Sequence, residues 1–226
     1  LSLSFSCRLR VLLVVHSVFG SSCYCSSGFS QNGITLTAED IGVIPAYTGG
    51  VSNGGGTTAA NGRYVTTYTP TYCLNAPDVT NMLVPGLVQG KAGTINYTSM
   101  IGLPYSTITS NLTGATIIKV ELYLYASYWP LPAGGSACIG THNVAGTPTF
   151  YSFGTRDLID QPMKKPQGLW ISLPLTLITS ILGGSVKGLV LDARASHPGT
   201  STLGYFNDLT ATDPNTLPAF RVTYIK

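Results

Sequence analysis

The chain has 226 residues and a formal net charge of +3, with 44% hydrophobic but only 9% charged residues, against roughly 25% charged in an average soluble protein. That length allows one large or two small domains with a real core, and so small a positive charge excludes an electrostatic footprint for nucleic acid. Gly (26) and Pro (14) are abundant, as are Thr, Ser, Asn and Tyr, a mixture that favours strands joined by turns and suits an assembly or an extracellular surface.

Residues 1–30 read differently from the rest. Arg8 and Arg10 precede an apolar run from Val11 to Phe19, and Gly20, Ser21 and Ser22 follow it. This is the outline of a secretory signal peptide. The apolar run is too short to span a bilayer as a helix, so no membrane partner is expected. A segment buried in an assembly is the competing reading.

Residues 36–45 spell one short, well-capped helical turn. Thr37 stands as N-cap with Asp40 at N3 of a capping box, while Leu36 and Ile41 occupy the N′ and N4 positions of a hydrophobic staple. Gly42 offers a stop and Pro45 forbids continuation. A turn this short is not stable alone, so it is expected to dock, plausibly on a copy of itself in a neighbouring subunit. Residues 48–57 then run Thr-Gly-Gly-Val-Ser-Asn-Gly-Gly-Gly-Thr, a flexible linker by composition. The expected organisation is an attachment and trimerisation segment over 1–47, a linker over 48–60 and a β-domain over 61–226.

Strand signals recur from Asn61 onward. Tyr64, Thr66, Tyr68 and Tyr72 share one parity, and residues 83–88 and 94–103 are further candidates. The clearest strand is 116–128, where Ile118, Val120, Leu122 and Leu124 alternate with Lys119, Glu121, Tyr123 and Tyr125. Residues 137–143 are expected to pair with it after the loop at 130–135. In 169–175, Leu169, Ile171, Leu173 and Leu175 line up opposite Trp170. Residues 175–182 predict two helical turns ended by Gly183 and Gly184. Residues 186–191 are almost continuously apolar and therefore central, and Phe220, Val222 and Tyr224 mark a final strand. About eight short strands and one connecting helix predict an all-β fold: a two-sheet antiparallel β-sandwich of jelly-roll type, preceded by an extended N-terminal segment.

No constellation spells a reaction. Among the five cysteines, Cys23 and Cys25 form a C-x-C pair with no second pair at zinc spacing, and Cys73 and Cys138 read as buried thiols. His16, His142 and His197 show no mutual ligand spacing, and His142 reads as a turn residue that bonds locally. Only Glu39 and Glu121 are glutamates; Asp157 with Asp160, or Asp192 with Asp208, are unmarked as a glycosidase pair. Asn207, Asp208 and Asp213 read as a solvated turn. No nucleophile elbow or phosphate loop occurs. The chain is therefore expected to be no enzyme, with no metal and no cofactor. Aromatics are the best binding candidates: Tyr128 and Trp129 where the long strand enters a loop, Tyr123 and Tyr125 on its polar parity, and Trp170. Such faces stack on sugars or fill subunit contacts.

The string Leu-Thr-Ala-Glu-Asp-Ile-Gly-Val-Ile-Pro at 36–45 resembles a short module of bacteriophage tail-fibre proteins. Further on, Gly114-Ala115-Thr116 leads into the long strand. It is followed by Ile139-Gly140-Thr141-His142-Asn143, Gly168-Leu169-Trp170-Ile171-Ser172-Leu173-Pro174, Gly188-Leu189-Val190-Leu191, Gly204-Tyr205-Phe206 and Leu217-Pro218-Ala219-Phe220-Arg221-Val222-Thr223-Tyr224. In that order these pieces resemble the DNRLRE-type jelly-roll domains and their relatives in phage appendages, although the namesake string is absent. The resemblance implies a non-catalytic structural protein of a virion appendage (tail fibre, minor tail or capsid-surface fibre). It also implies a homotrimer whose partners are other virion proteins and a host cell-surface glycan. A secreted bacterial cell-surface module that binds carbohydrate is the alternative.

Overall fold

The computed structural model describes residues 29–31, 34–36, 57–58, 63–75, 86–92, 95–146, 154–156, 158–192 and 203–226. Contacts divide the chain into two units, Leu1–Thr48 and Gly49–Lys226. In the first, β1 (Phe29–Gln31) and β2 (Ile34–Leu36) form an antiparallel hairpin with Phe29 opposite Leu36. Leu36 thus closes a strand. Thr37, Asp40 and Ile41, which complete the predicted capped turn, lie outside the described residues.

The second unit is a sandwich-like arrangement of two antiparallel sheets. The larger runs in the order β3 (Thr57–Thr58), β4 (Arg63–Tyr68), β15 (Ala219–Ile225), β9 (Thr116–Tyr128), β14 (Gly204–Phe206), β6 (Leu87–Ala92), β7 (Ile95–Tyr97), with β12 (Gln167–Leu173) also paired to β9. The smaller runs β11 (Ile159–Met163), β10 (Gly135–His142), β13 (Gly188–Leu191), β8 (Ser99–Gly102), β5 (Tyr72–Asn75). Among the described residues, two helices, α1 (Tyr105–Leu112) and α2 (Leu175–Leu182), and a 3-10 turn at Pro214–Thr216 join them. Among the described residues, no helix is long and apolar enough to cross a membrane.

The alternation in β9 is what organises the larger sheet. Val120, Leu122, Leu124 and Ala126 are fully buried, while Tyr123 and Tyr125 are half-buried on the other face. Tyr123 lies opposite both Trp170 and Ala219, and Ala126 opposite both Gln167 and Phe206. So β12 flanks one side of β9, and β15 followed by β14 flanks the other. In the smaller sheet, all four residues of β13 are buried between β10 and β8, as a continuous apolar run demands. The two sheets and both helices meet in one core that includes Leu122, Phe220, Leu189, Ile108 and Ile181. Each such side chain contributes about 1.5–3 kcal/mol on burial.

Four expectations need correction. Residues 137–143 do not pair with β9; β10 pairs with β11 and β13 in the opposite sheet, because the intervening loop carries the chain across the core. The single run 63–72 is two strands: Thr69, Pro70 and Thr71 separate β4 in the larger sheet from β5 in the smaller. Likewise 94–103 divides at Thr98 into β7 and β8. Such corners raise the strand number in this unit well above eight. Finally, the described residues form two α-helices and not one. In α1, the β-branched and Ser/Thr-rich sequence conceals the pattern, and only Ile108 and Leu112, spaced i and i+4, are buried. Helix α2 forms as the sequence predicts, with Gly184 at φ +76°, in the left-handed region that glycine tolerates.

Strand β6 ties the two sheets together through side chains. The buried Gln89 amide donates to Ser136 O (2.6 Å) and accepts from Cys138 N–H (3.0 Å). The Val88 N–H donates to Ser99 Oγ at 2.7 Å. These bonds satisfy backbone groups that the change of sheet takes out of the regular ladders.

Candidate binding face on the larger sheet

The outward parity of β9 presents Lys119, Glu121, Tyr123 and Tyr125, and register decides what meets them. Trp170 of β12 lies directly opposite Tyr123, their rings 5.2 Å apart and tilted by 51°. Gly168 lies opposite Tyr125, and a Cβ there would collide with the Tyr123 hydroxyl. On the other side Arg221 of β15 faces Glu121. The Glu121 carboxylate is buried; Oε2 accepts from Arg221 Nε and Nη2, both at 2.9 Å, and Oε1 pairs with Lys119 Nζ at 2.8 Å. The Arg221 guanidinium also lies 3.8 Å from the centre of the Trp170 ring, a stacked cation–π contact. Both carboxylate oxygens are thus taken up by cations, which makes Glu121 a fastener of the face. Burial, foremost, and then the Tyr125 phenol and the Asp213 charge raise the Tyr123 pKa above its usual value, so this phenol stays protonated.

At its far end β9 is irregular, and the irregularity sorts Tyr128 from Trp129. Phe206 pairs with Ala126, but Tyr205 pairs with Tyr128, so one extra β9 residue is accommodated there. A bulge of one residue reverses the side-chain parity beyond it. Tyr128 therefore turns outward beside Tyr205 (5.6 Å, edge-on) and is 46% exposed. Trp129 turns inward, is fully buried and packs edge-on against Phe206 at 5.5 Å. A Cβ at Gly204 would strike its ring. Trp129 is accordingly a core residue, and its expected role in stacking on a ligand is corrected.

Two residues that sequence reasoning did not single out join the outward end. Tyr205 has its phenol pKa raised by burial first, and by the neighbouring Tyr97 and Tyr128 phenols. Lys165 Nζ stands 4.5 Å over the Tyr128 ring and donates to Trp129 O at 2.9 Å. No short-range pattern marks them, because they meet Tyr128 only through strand pairing and the loop before β12.

Comparison with known proteins finds no matching family model and no matching curated protein.

The remaining candidates are engaged structurally. Asp192 pairs with Arg156 (3.2 Å) and accepts from Thr98 Oγ1 (3.0 Å). Asp208 accepts from Thr210, and Asp213 caps the 3-10 turn by accepting from Asn215 N–H at 2.9 Å. Asp160 is exposed on the edge strand β11; Asp157 and His197 lie outside the described residues. Among the described residues no group of three or more His, Cys, Asp or Glu side chains is placed to hold a metal ion. His142 is not in a turn: it ends β10, fully buried. What the outer face offers chemically is a row of aromatic rings flanked by Lys and Arg, a surface for stacking and hydrogen bonding.

Proposed function

We propose that this chain is a non-enzymatic structural protein of a bacteriophage virion appendage, a homotrimer that displays a jelly-roll-type sandwich for adhesion to host cell-surface glycans. The observation that carries the adhesive part is the outward row of Tyr123, Tyr125, Tyr128, Tyr205 and Trp170 on one sheet. Planar rings with polar edges suit the apolar faces and hydroxyls of sugar rings. The virion part rests on the resemblance of residues 36–45 to the tail-fibre module. Three copies would convert a weak site into firm adhesion, since linked sites gain roughly 10²–10⁴ in avidity through effective concentration.

Binding of the full chain to whole bacteria and to a glycan array tests the adhesive reading, with a Tyr128→Ala/Tyr205→Ala variant alongside. The expected result is carbohydrate binding that the variant loses without release of cleaved sugar. Binding unaffected by the variant, or cleavage of the glycan, overturns it. Light scattering tests the trimer. A monomer at micromolar concentration removes the fibre reading and leaves the secreted carbohydrate-binding module, which the same aromatic face suits.

A further inference from the structure

The smaller sheet carries a separate feature. An open cleft of about 190 Å³ lies where β5, the start of α1 and the segment entering β13 meet, lined by residues that include Tyr72, Tyr105, Ser106, Val144 and Lys187. It is smaller than the roughly 300–1,000 Å³ of pockets for drug-sized ligands, so it admits one group of about the size of a single ring.

Two of its lining residues have unmet bonding capacity of the same kind. Lys187 holds its ammonium 5.1 Å from the centre of the Tyr105 ring, and among the described residues no carboxylate pairs with it. Tyr72 is only 9% exposed, and its hydroxyl lies 3.5 Å from His142 Nε2. The Val144 N–H donates to His142 Nδ1 at 3.2 Å, which places the ring proton on Nε2, 3.2 Å from the Ile101 carbonyl. A protonated Nε2 has no lone pair to receive the phenol proton. The Tyr72 O–H is therefore a buried donor with no acceptor among the described residues, and burial first, then Cys73, pushes its pKa up to about 12. A cation and an O–H donor carried by two residues that line one cleft are the complement of an anionic oxygen acceptor.

We propose that this cleft binds a carboxylate carried on a ring of sugar size, with the Lys187 ammonium and the Tyr72 hydroxyl as its anchors and the Tyr105 ring against its apolar side. Such a group comes either from an acidic sugar of a surface glycan or from a free organic acid. The site is distinct from the aromatic face, so it stands or falls separately from the proposed function.

Calorimetric titration of the full chain with glucuronate, glucose and acetate tests the site. Glucuronate is expected to bind and glucose not to. Lys187→Gln and Tyr72→Phe are each expected to weaken glucuronate binding by about tenfold or more, the loss from one charge-assisted hydrogen bond. Tyr128→Ala leaves it unchanged. Acetate binding as tightly as glucuronate would overturn the ring-sized ligand in favour of a small free acid. Glucose binding equally well, or retention of glucuronate affinity in Lys187→Gln, whose half-exposed side chain makes misfolding no explanation, would overturn the carboxylate site.

Discussion

Mild acid should loosen this sandwich through one residue, His142. Its imidazole is fully buried where four strands of the smaller sheet meet: it ends β10, bonds the Ile101 carbonyl of β8, stacks on Tyr72 of β5 and leaves no room for a Cβ at Gly188 of β13. Nδ1 accepts from Val144 N–H, so protonation there would set two donors against each other. Burial pushes the His142 pKa below its usual 6.5, partly offset by the hydrogen bond to Ile101. The sign follows directly. Below pH 6.5 the unfolded chain takes up a proton that the folded chain refuses. Stability is therefore full above 6.5 and falls with decreasing pH until the lowered folded-state value is reached. Across that window the slope is about 1.4 kcal/mol per pH unit for one such group. Urea unfolding followed by tryptophan fluorescence at pH 7.5, 6.5, 5.5 and 5.0 measures it. His142→Asn, which does not titrate, should be less stable at pH 7.5 by about 1–3 kcal/mol, the cost of disturbing buried hydrogen bonds. Its stability should lack that share of the acid slope. Identical slopes for the two proteins between pH 5 and 6.5 would refute the reasoning.

Other substitutions separate packing from surface. Trp129→Ala should cost about 3–5 kcal/mol by opening a cavity beside Phe206, whereas Tyr128→Ala should cost under about 1 kcal/mol; denaturant midpoints compare them. Arg221→Ala strips Glu121 Oε2 of both its donors and leaves Lys119 alone on the buried carboxylate. A loss of about 3 kcal/mol is expected, and the double variant Glu121→Gln/Arg221→Ala should recover part of it. Burial, and next the Asp208 charge, push the Cys73 thiol up to about 12. At pH 8 its alkylation, mapped by peptide mass, should be slower in the folded than in the denatured chain by on the order of a thousandfold.

Local pattern identifies the parts of this fold in which side-chain period and burial agree. The alternation from Val120 to Tyr125 marks a half-buried strand with its aromatic outer face, and the unbroken apolar run at 188–191 marks a central strand. Leu177, Ile178 and Ile181 with Gly183 and Gly184 likewise mark α2 and its end. Period and turn chemistry act over a few residues, and the chain carries them whole. Pairing is another matter. That 135–142 joins the opposite sheet depends on where the loop at 130–134 delivers the chain. That Trp129 is buried and Tyr128 exposed depends on one extra residue opposite Tyr205. A bulge reverses every side chain beyond it, yet neither Tyr205 nor Phe206 is near in sequence. The same holds for the clasp of Arg221 on Glu121 and Trp170, and for the meeting of Tyr72 and Lys187 around a cleft. Composition and period settle which residues are apolar, aromatic or turn-forming; the long-range register settles which of them touch, and with it which aromatic rings are left for a partner.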